Sequence, residues 1–277
     1  MRVTKKTIFK KYDIEYIGTN GGKILAPWGE YIGLPLKKGN SKTGEKVYTF
    51  STLAGREIYH TKYGEILGTC PLTCPGCYAR LGCYNFRTVI NSLAVNTILV
   101  REYMDFIERA IMAQLETLKK IDEIRIFASG DFYISENESV NRSYVEMWRR
   151  IIRRFPNKFF WTYTKCRPFE NAFDDLPNAN IVKSIINGIG FNFGTVEYLL
   201  SVYEKLKSAG KDVYICKCGF DDNQHCHGCH SCSKHAFVLF LEHSTKYNPL
   251  DSENYETLKA IVMNQKDENA SGNALAA

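Results

Sequence analysis

The sequence contains no run of about 18 apolar residues. Its strongly apolar stretches, such as Phe237-Val238-Leu239-Phe240-Leu241, have strand length, so neither a transmembrane helix nor a membrane partner is expected. The basic start, Met1 to Lys11, has no apolar segment behind it, which argues against a secretory signal peptide and for a reducing, cytoplasmic setting. No Walker-type phosphate loop, Ser-His-Asp order or His-Glu-x-x-His occurs, so nucleotide triphosphatase, triad hydrolase and zincin readings have no support. No short internal repeat is visible.

What is present is ordinary globular material: 44% hydrophobic and 24% charged residues exclude disorder and fibrous folds. The net charge of +6 is uneven, since residues 1–50 carry ten Lys/Arg against four Asp/Glu and residues 251–277 carry two against five. This basic front fits a solubility feature or a nucleic-acid contact, but it contains no basic block of the length a nucleic-acid arm has. The ten cysteines are more informative. Nine fall in two clusters, Cys70, Cys74, Cys77 and Cys83, then Cys216, Cys218, Cys226, Cys229 and Cys232, with Cys166 alone between them. Close-spaced thiols in a reducing compartment are metal or cluster ligands rather than a disulfide framework.

Residues 1–60 are rich in Gly, Lys, Tyr and Thr with short apolar pieces, the pattern of a β-rich N-terminal extension. Val100, Met104, Ile107, Ile111, Leu115 and Leu118 then predict one long amphipathic helix. Strand and helix alternate from there: strands at 124–128, 158–164, 181–186, 213–215 and 236–241, and helices over about 140–154 and from the cap Thr195 to Gly210. This rhythm is that of an α/β fold, a parallel sheet covered by helices, open or rolled into a partial barrel over 61–250. Residues 251–277 read as a polar tail. In such folds chemistry gathers at the carboxyl ends of the strands, where the cysteines, Asp131, Thr164-Lys165 and Asn187 all fall.

The segment Gly68-Thr-Cys-Pro-Leu-Thr-Cys-Pro-Gly-Cys-Tyr-Ala79 spaces three thiols as C-x3-C-x2-C in one loop, kinked by Pro71, Pro75 and Gly76. Three cysteines leave one iron of an iron–sulfur cube open, whereas a structural zinc site closes with four ligands, here through Cys83. The spacing, its place before a long helix and the β/α rhythm resemble the radical S-adenosylmethionine (SAM) superfamily. That resemblance implies a partial (β/α) barrel and a [4Fe-4S] cluster on Cys70, Cys74 and Cys77. It also implies SAM on the open iron, reductive cleavage to a 5′-deoxyadenosyl radical, and an electron donor such as flavodoxin or ferredoxin. The superfamily places an aromatic residue before the third cysteine; this chain has Gly76 there and Tyr78 directly after, which becomes the candidate SAM contact. Ser129-Gly130-Asp131 stands where the superfamily has a Gly-Gly-Glu segment holding the SAM amino group, and Ser184 and Asn187 complete the cofactor-binding candidates. More specifically, Ser-Gly-Asp-Phe, Trp161-Thr-Tyr-Thr-Lys165 and a late C-x2-C-x2-C resemble a group of phage-encoded proteins, the gene product eighty-eight family, over about residues 45–235. That resemblance implies a host-cytoplasmic setting and names no reaction.

In the second cluster Cys226, Cys229 and Cys232 step by three, as in ferredoxin-type runs, with Cys216 or Cys218 as the fourth ligand. An auxiliary iron–sulfur cluster is the preferred occupant and zinc the alternative. Cys166, at the end of a strand, is the catalytic candidate as a thiol hydrogen-atom donor, against its reading as a small buried hydrophobe. Arg149, Arg150, Arg153 and Arg154 either grip phosphates or form a solvated helix face. The expectation is a radical SAM-like enzyme of unassigned substrate, with nucleic acid, nucleotide and peptide as substrate classes. The competing expectation is a non-catalytic zinc or iron–sulfur protein that binds nucleic acid or a host protein.

Overall fold

The computed structural model describes residues 4–18, 21–39, 47–74, 77–184, 192–217, 220, 231–241 and 248–265. The chain opens with α1 (Lys5–Lys11), capped by the Thr4 hydroxyl, which accepts the Thr7 amide. Short strands and loops are expected here, but the cap and the burial of Phe9, stacked on Tyr16 at 4.6 Å, make a helix. An antiparallel meander follows: β1 (Tyr16–Ile17), β2 (Lys23–Leu25) and β3 (Tyr31–Gly33). Next come β4 (Lys37–Lys38), β5 (Val47–Phe50) and a hairpin of β6 (Ile58–Thr61) and β7 (Gly64–Leu67). β5 lies within the segment read as an extension, yet it is the first parallel strand of the main sheet.

The predicted long helix is two, α2 (Arg87–Glu102) and α3 (Met104–Thr117), broken at Tyr103, whose backbone leaves the helical region and whose ring meets Trp28 at 5.8 Å. The alternation then proceeds through β8 (Glu123–Ile126), α4 (Glu138–Arg154), β9 (Phe159–Thr164) and β10 (Ala179–Lys183). β5, β8, β9 and β10 are parallel neighbours in chain order, and β4 pairs antiparallel on the outer side of β5. One face of this sheet buries Phe50, Ile124, Ile126, Phe160 and Ile181 in a single core with α3 and with Tyr144 and Trp148 of α4. The packing is that of an α/β layer.

The remaining elements are β11 (Phe193–Gly194), α5 (Val196–Ser208), β12 (Val213–Ile215), α6 (Ser231–Lys234), β13 (Phe237–Leu241) and α7 (Tyr255–Asn264). β11, β13 and β12 make a second, parallel sheet. The edge of the first sheet reaches it through the Lys183 amide, which donates to Ala236 O at 2.7 Å. Among the described residues the strands form separate sheets and no closed barrel. No helix of the described residues is long and apolar enough to cross a membrane.

Part of the expected polar tail is α7, whose Tyr255, Leu258 and Val262 pack on Leu199, Val202 and Leu206 of α5. The apolar positions at i, i+3 and i+7 lie among enough polar residues to hide the pattern. Leu258→Ala should lower the unfolding free energy by about 2–5 kcal/mol. Met263→Ala, at an exposed position of the same helix, should change it by no more than about 0.5 kcal/mol. Chemical denaturation measures both, and equal small effects would mean that α7 is not part of the fold.

Candidate functional site

Because β5, β8 and β9 are parallel, the segments leaving them emerge at one edge of the sheet. The first cysteine loop is pinned to the segment that leaves β5. The Gly68, Thr69 and Cys70 amides donate to Glu57 O, Leu53 O and Gly55 O at 2.9, 2.8 and 3.1 Å. The Arg56 amide donates to Thr73 Oγ1 at 2.9 Å, and Arg80 makes a two-pronged pair with Glu57 at 2.5 and 2.6 Å. This close approach needs a glycine at 68, where a Cβ would collide with Ala54 O and Gly55 O. From the end of α2, Arg101 donates to Leu67 O at 2.6 Å, Gly68 O at 3.0 Å and Ile134 O at 2.8 Å. One guanidinium thus ties the cysteine loop to the loop after β8.

The turn leaving β8 is equally constrained. Ser129 exchanges backbone contact with Thr52, accepting its amide at 3.0 Å, and donates its hydroxyl to Thr52 O at 2.8 Å. Gly130 has φ +91°, and a Cβ there would strike Thr52 Oγ1, which itself lies 2.7 Å from Thr69 Oγ1. Asp131 is buried. Its amide donates to Thr69 Oγ1 at 3.1 Å, and its carboxylate accepts the Phe132 amide at 2.8 Å, the Thr164 hydroxyl at 2.7 Å and the Lys165 amide at 2.7 Å. The carboxylate therefore joins the ends of β8 and β9. The Cys166 amide donates to Thr164 Oγ1 at 3.0 Å, which places Cys166 beside the same group.

Burial pushes the Asp131 carboxyl above the ordinary carboxylate range, against the pull of the Lys165, Thr164 and Phe132 donors and the Lys165 charge. The Cys70 thiol is raised by burial and then by Asp131, with Cys77 and Cys74 adding to it. Cys74 is raised by burial, and the Lys165 ammonium opposes that. Cys166 is raised by burial first, then by Asp131 and Cys70. Beside these groups lies a cavity of about 360 Å³ whose wall includes Pro71, Leu72, Tyr133, Lys165, Cys166 and Phe169. Its size is within the range of small-molecule sites.

Of the residues singled out from the sequence, Cys70, Cys74, Cys77, Asp131 and Cys166 come together at this edge. The Ser129 hydroxyl and the Asp131 carboxylate are committed to backbone and Thr164 partners. Ser184 ends β10, its amide donating to Thr164 O at 3.1 Å. Tyr78 begins a short 3-10 turn, Tyr78–Arg80, and its side chain lies outside the described residues. Cys83 is exposed. Asn187, Cys218, Cys226 and Cys229 lie outside the described residues, as does the Cys232 side chain on α6. Cys216, at the end of β12, is buried with Val182, Tyr214 and Val238.

The arginines of α4 do not form a phosphate grip. Arg149 pairs with Asp175, Arg150 with Glu108, Arg153 with Asp175 and Arg154 with Glu116. Thr52, Thr69 and Arg101 were silent in the sequence, since single threonines in loops and an arginine on an amphipathic helix carry no spacing signal.

Among the described residues no three Cys, His, Asp or Glu side chains stand together at metal-binding distance. The donors offered by the 70–77 loop are all thiols, soft ligands suited to an iron–sulfur cluster or zinc. In donor chemistry and in backbone anchoring the loop fits such a group, and its thiols would have to converge on loading.

A family model described as Gene product 88 matches residues 34–243, more than half of the chain. Neither a curated protein nor a solved structure matches it.

Asp131→Asn would set an amide N–H₂ against the Lys165 amide. The expected cost is about 1–3 kcal/mol of stability, the penalty of a buried unsatisfied group. Urea unfolding of protein prepared without iron isolates this structural role, and an unchanged midpoint would refute it.

Proposed function

The chain belongs to the gene product 88 family, and on that premise we propose that it is a radical SAM-like iron–sulfur enzyme that cleaves SAM reductively. The observation that carries this reading is the placement of Cys70, Cys74 and Cys77 in one anchored loop at the carboxyl end of the first parallel strand, beside the Ser129-Gly130-Asp131 turn at the end of the next. The handover from β10 to β13 supports reading the two sheets as parts of one curved, partial barrel. Asn192 strengthens it, with its side-chain amide donating to Lys183 O at 3.2 Å and Val238 O at 3.0 Å. A [4Fe-4S] cluster held by Cys70, Cys74 and Cys77 would supply the electron for SAM cleavage.

The chain's own residues have defined parts in this proposal. Asp131 is a positioning residue: it fixes Thr164 and Lys165, and through them Cys166, against the cysteine loop. Lys165 brings a positive charge to the Cys74 thiol, which must bind as a thiolate. Cys166 has the opposite requirement. Burial and the neighbouring Asp131 keep its thiol protonated at the cavity wall, so it retains the hydrogen that a donor role needs. The second cysteine segment would hold an auxiliary iron–sulfur cluster or zinc through Cys226, Cys229, Cys232 and one of Cys216 or Cys218. A flavodoxin or ferredoxin would deliver the electron, and a phage-derived enzyme of this kind would work in the host cytoplasm.

Anaerobic reconstitution, dithionite reduction with SAM and chromatography for 5′-deoxyadenosine test the proposal. Product is expected from the wild-type chain. From Cys74→Ala none is expected, while iron falls from about eight to about four per chain, the content of two clusters and of one. Cleavage that survives Cys74→Ala would overturn the assignment. A fully iron-loaded wild type that forms no product would favour the non-catalytic metal protein that binds nucleic acid or a host protein.

A further inference from the structure

The third cysteine of the loop leads directly to the surface. Cys77 O accepts the Arg80 amide at 3.0 Å, which closes the Tyr78–Arg80 turn, and a second 3-10 turn, Gly82–Asn85, carries the chain to α2. This connection is compact: the Tyr84 amide donates to Leu81 O at 3.2 Å and the Phe86 amide to Cys83 O at 3.1 Å. The Tyr84 hydroxyl donates to Ala128 O at 3.4 Å, tying it to the segment that leaves β8. Tyr84 packs inward with Val89 and Ile90 on Leu93, but two large apolar neighbours stay outside. Leu81 is 58% exposed and Phe86 62%, with Cys83 between them exposed as well.

The charge around these side chains has one sign. From Ile66 to Arg101 the chain holds three arginines and no acid. Arg80 is spent on Glu57, and Arg101 on the Leu67, Gly68 and Ile134 carbonyls. Arg87 is exposed and has no partner among the described residues. It also begins α2, a helix of 16 residues with no side-chain cap and no acid in its first turn. Thr4, Asn137 and Thr195 cap α1, α4 and α5. An uncapped helix start presents free amides and a partial positive charge, so a carboxylate brought by a partner would be held there.

We propose that Leu81, Phe86, Arg87 and the uncapped start of α2 form the docking surface for the electron donor, a small acidic redox protein of the flavodoxin or ferredoxin kind. An apolar centre with a charged rim is the build of a protein–protein contact, and electron-transfer encounters are among the smallest of these. The location suits a donor rather than a substrate. Electron transfer weakens steeply with distance, and Leu81 stands four residues after Cys77. The cavity beside Cys166 shares no residue with this surface. The inference rests on the proposed function, whose cluster takes its electron from outside. Its test reads binding and not SAM cleavage, and dithionite, which needs no docking surface, reports on cleavage by itself, so the two proposals fail separately.

The test is a fluorescence-anisotropy titration of dye-labelled oxidised flavodoxin, and separately of ferredoxin, with the reconstituted full chain. Saturable binding of at least one of them is expected, weakening as salt is raised. Phe86→Glu and Arg87→Glu should each weaken it about tenfold. Leu250→Glu, which puts the same charge on a 67% exposed leucine outside the surface, should leave it unchanged. Far-UV dichroism equal to that of the wild type shows that each variant is folded. Absence of binding by both redox proteins would overturn the proposal, as would binding that neither Phe86→Glu nor Arg87→Glu diminishes. A single-stranded oligonucleotide that binds in place of both proteins, and is lost in Phe86→Glu, would assign the surface to nucleic acid and overturn it too.

Discussion

The buried carboxylate of Asp131 is the contact on which the arrangement at the carboxyl edge of the sheet depends. It accepts from its own following amide, from a hydroxyl at the end of β9 and from the next amide of that segment, while its own amide is held by Thr69, one residue before the first cysteine. Three segments far apart in sequence are thereby fixed to one another by three hydrogen bonds to one residue. Hydrogen bonds to a buried carboxylate are strong, and the geometry they impose is correspondingly narrow. Gly130 and Gly68 follow from this narrowness: each stands where a side chain would occupy space already taken by Thr52 or by the 54–55 backbone.

The sequence carries the strand-and-helix alternation from residue 123 to residue 241 in its apolar spacing. β8, α4, β9, α5, β12 and β13 appear in the structure close to where the spacing places them. The front of the chain is harder to read. α1 depends on a threonine cap and one buried phenylalanine, and β5 is four residues of alternating character that look the same whether they sit in an extension or start the main sheet. Tyr103 breaks a helix without proline or glycine, so nothing in the local sequence marks it. α7 shows only three buried positions in ten residues, within an acidic and polar segment.

At the site, the cysteines were legible because thiol spacing is rare and chemically specific, and Asp131 was legible through its place after a strand. Its role was not. Sequence suggests a group facing a ligand, and it gives no sign of the bonds the structure shows, from the Phe132 amide, the Thr164 hydroxyl and the Lys165 amide. The Arg101 clamp and the Thr52–Thr69 contact were hidden because they depend on tertiary closure between loops.

We propose that the loop of Cys70, Cys74 and Cys77 holds an iron–sulfur cluster with a site open to SAM. Electron paramagnetic resonance of the dithionite-reduced, reconstituted chain, recorded with and without SAM, decides whether it does. The expected spectrum is that of a reduced [4Fe-4S] cluster whose g-values change when SAM is added, and whose SAM-sensitive component is missing from Cys70→Ala. A fully loaded protein whose spectrum is indifferent to SAM would contradict it.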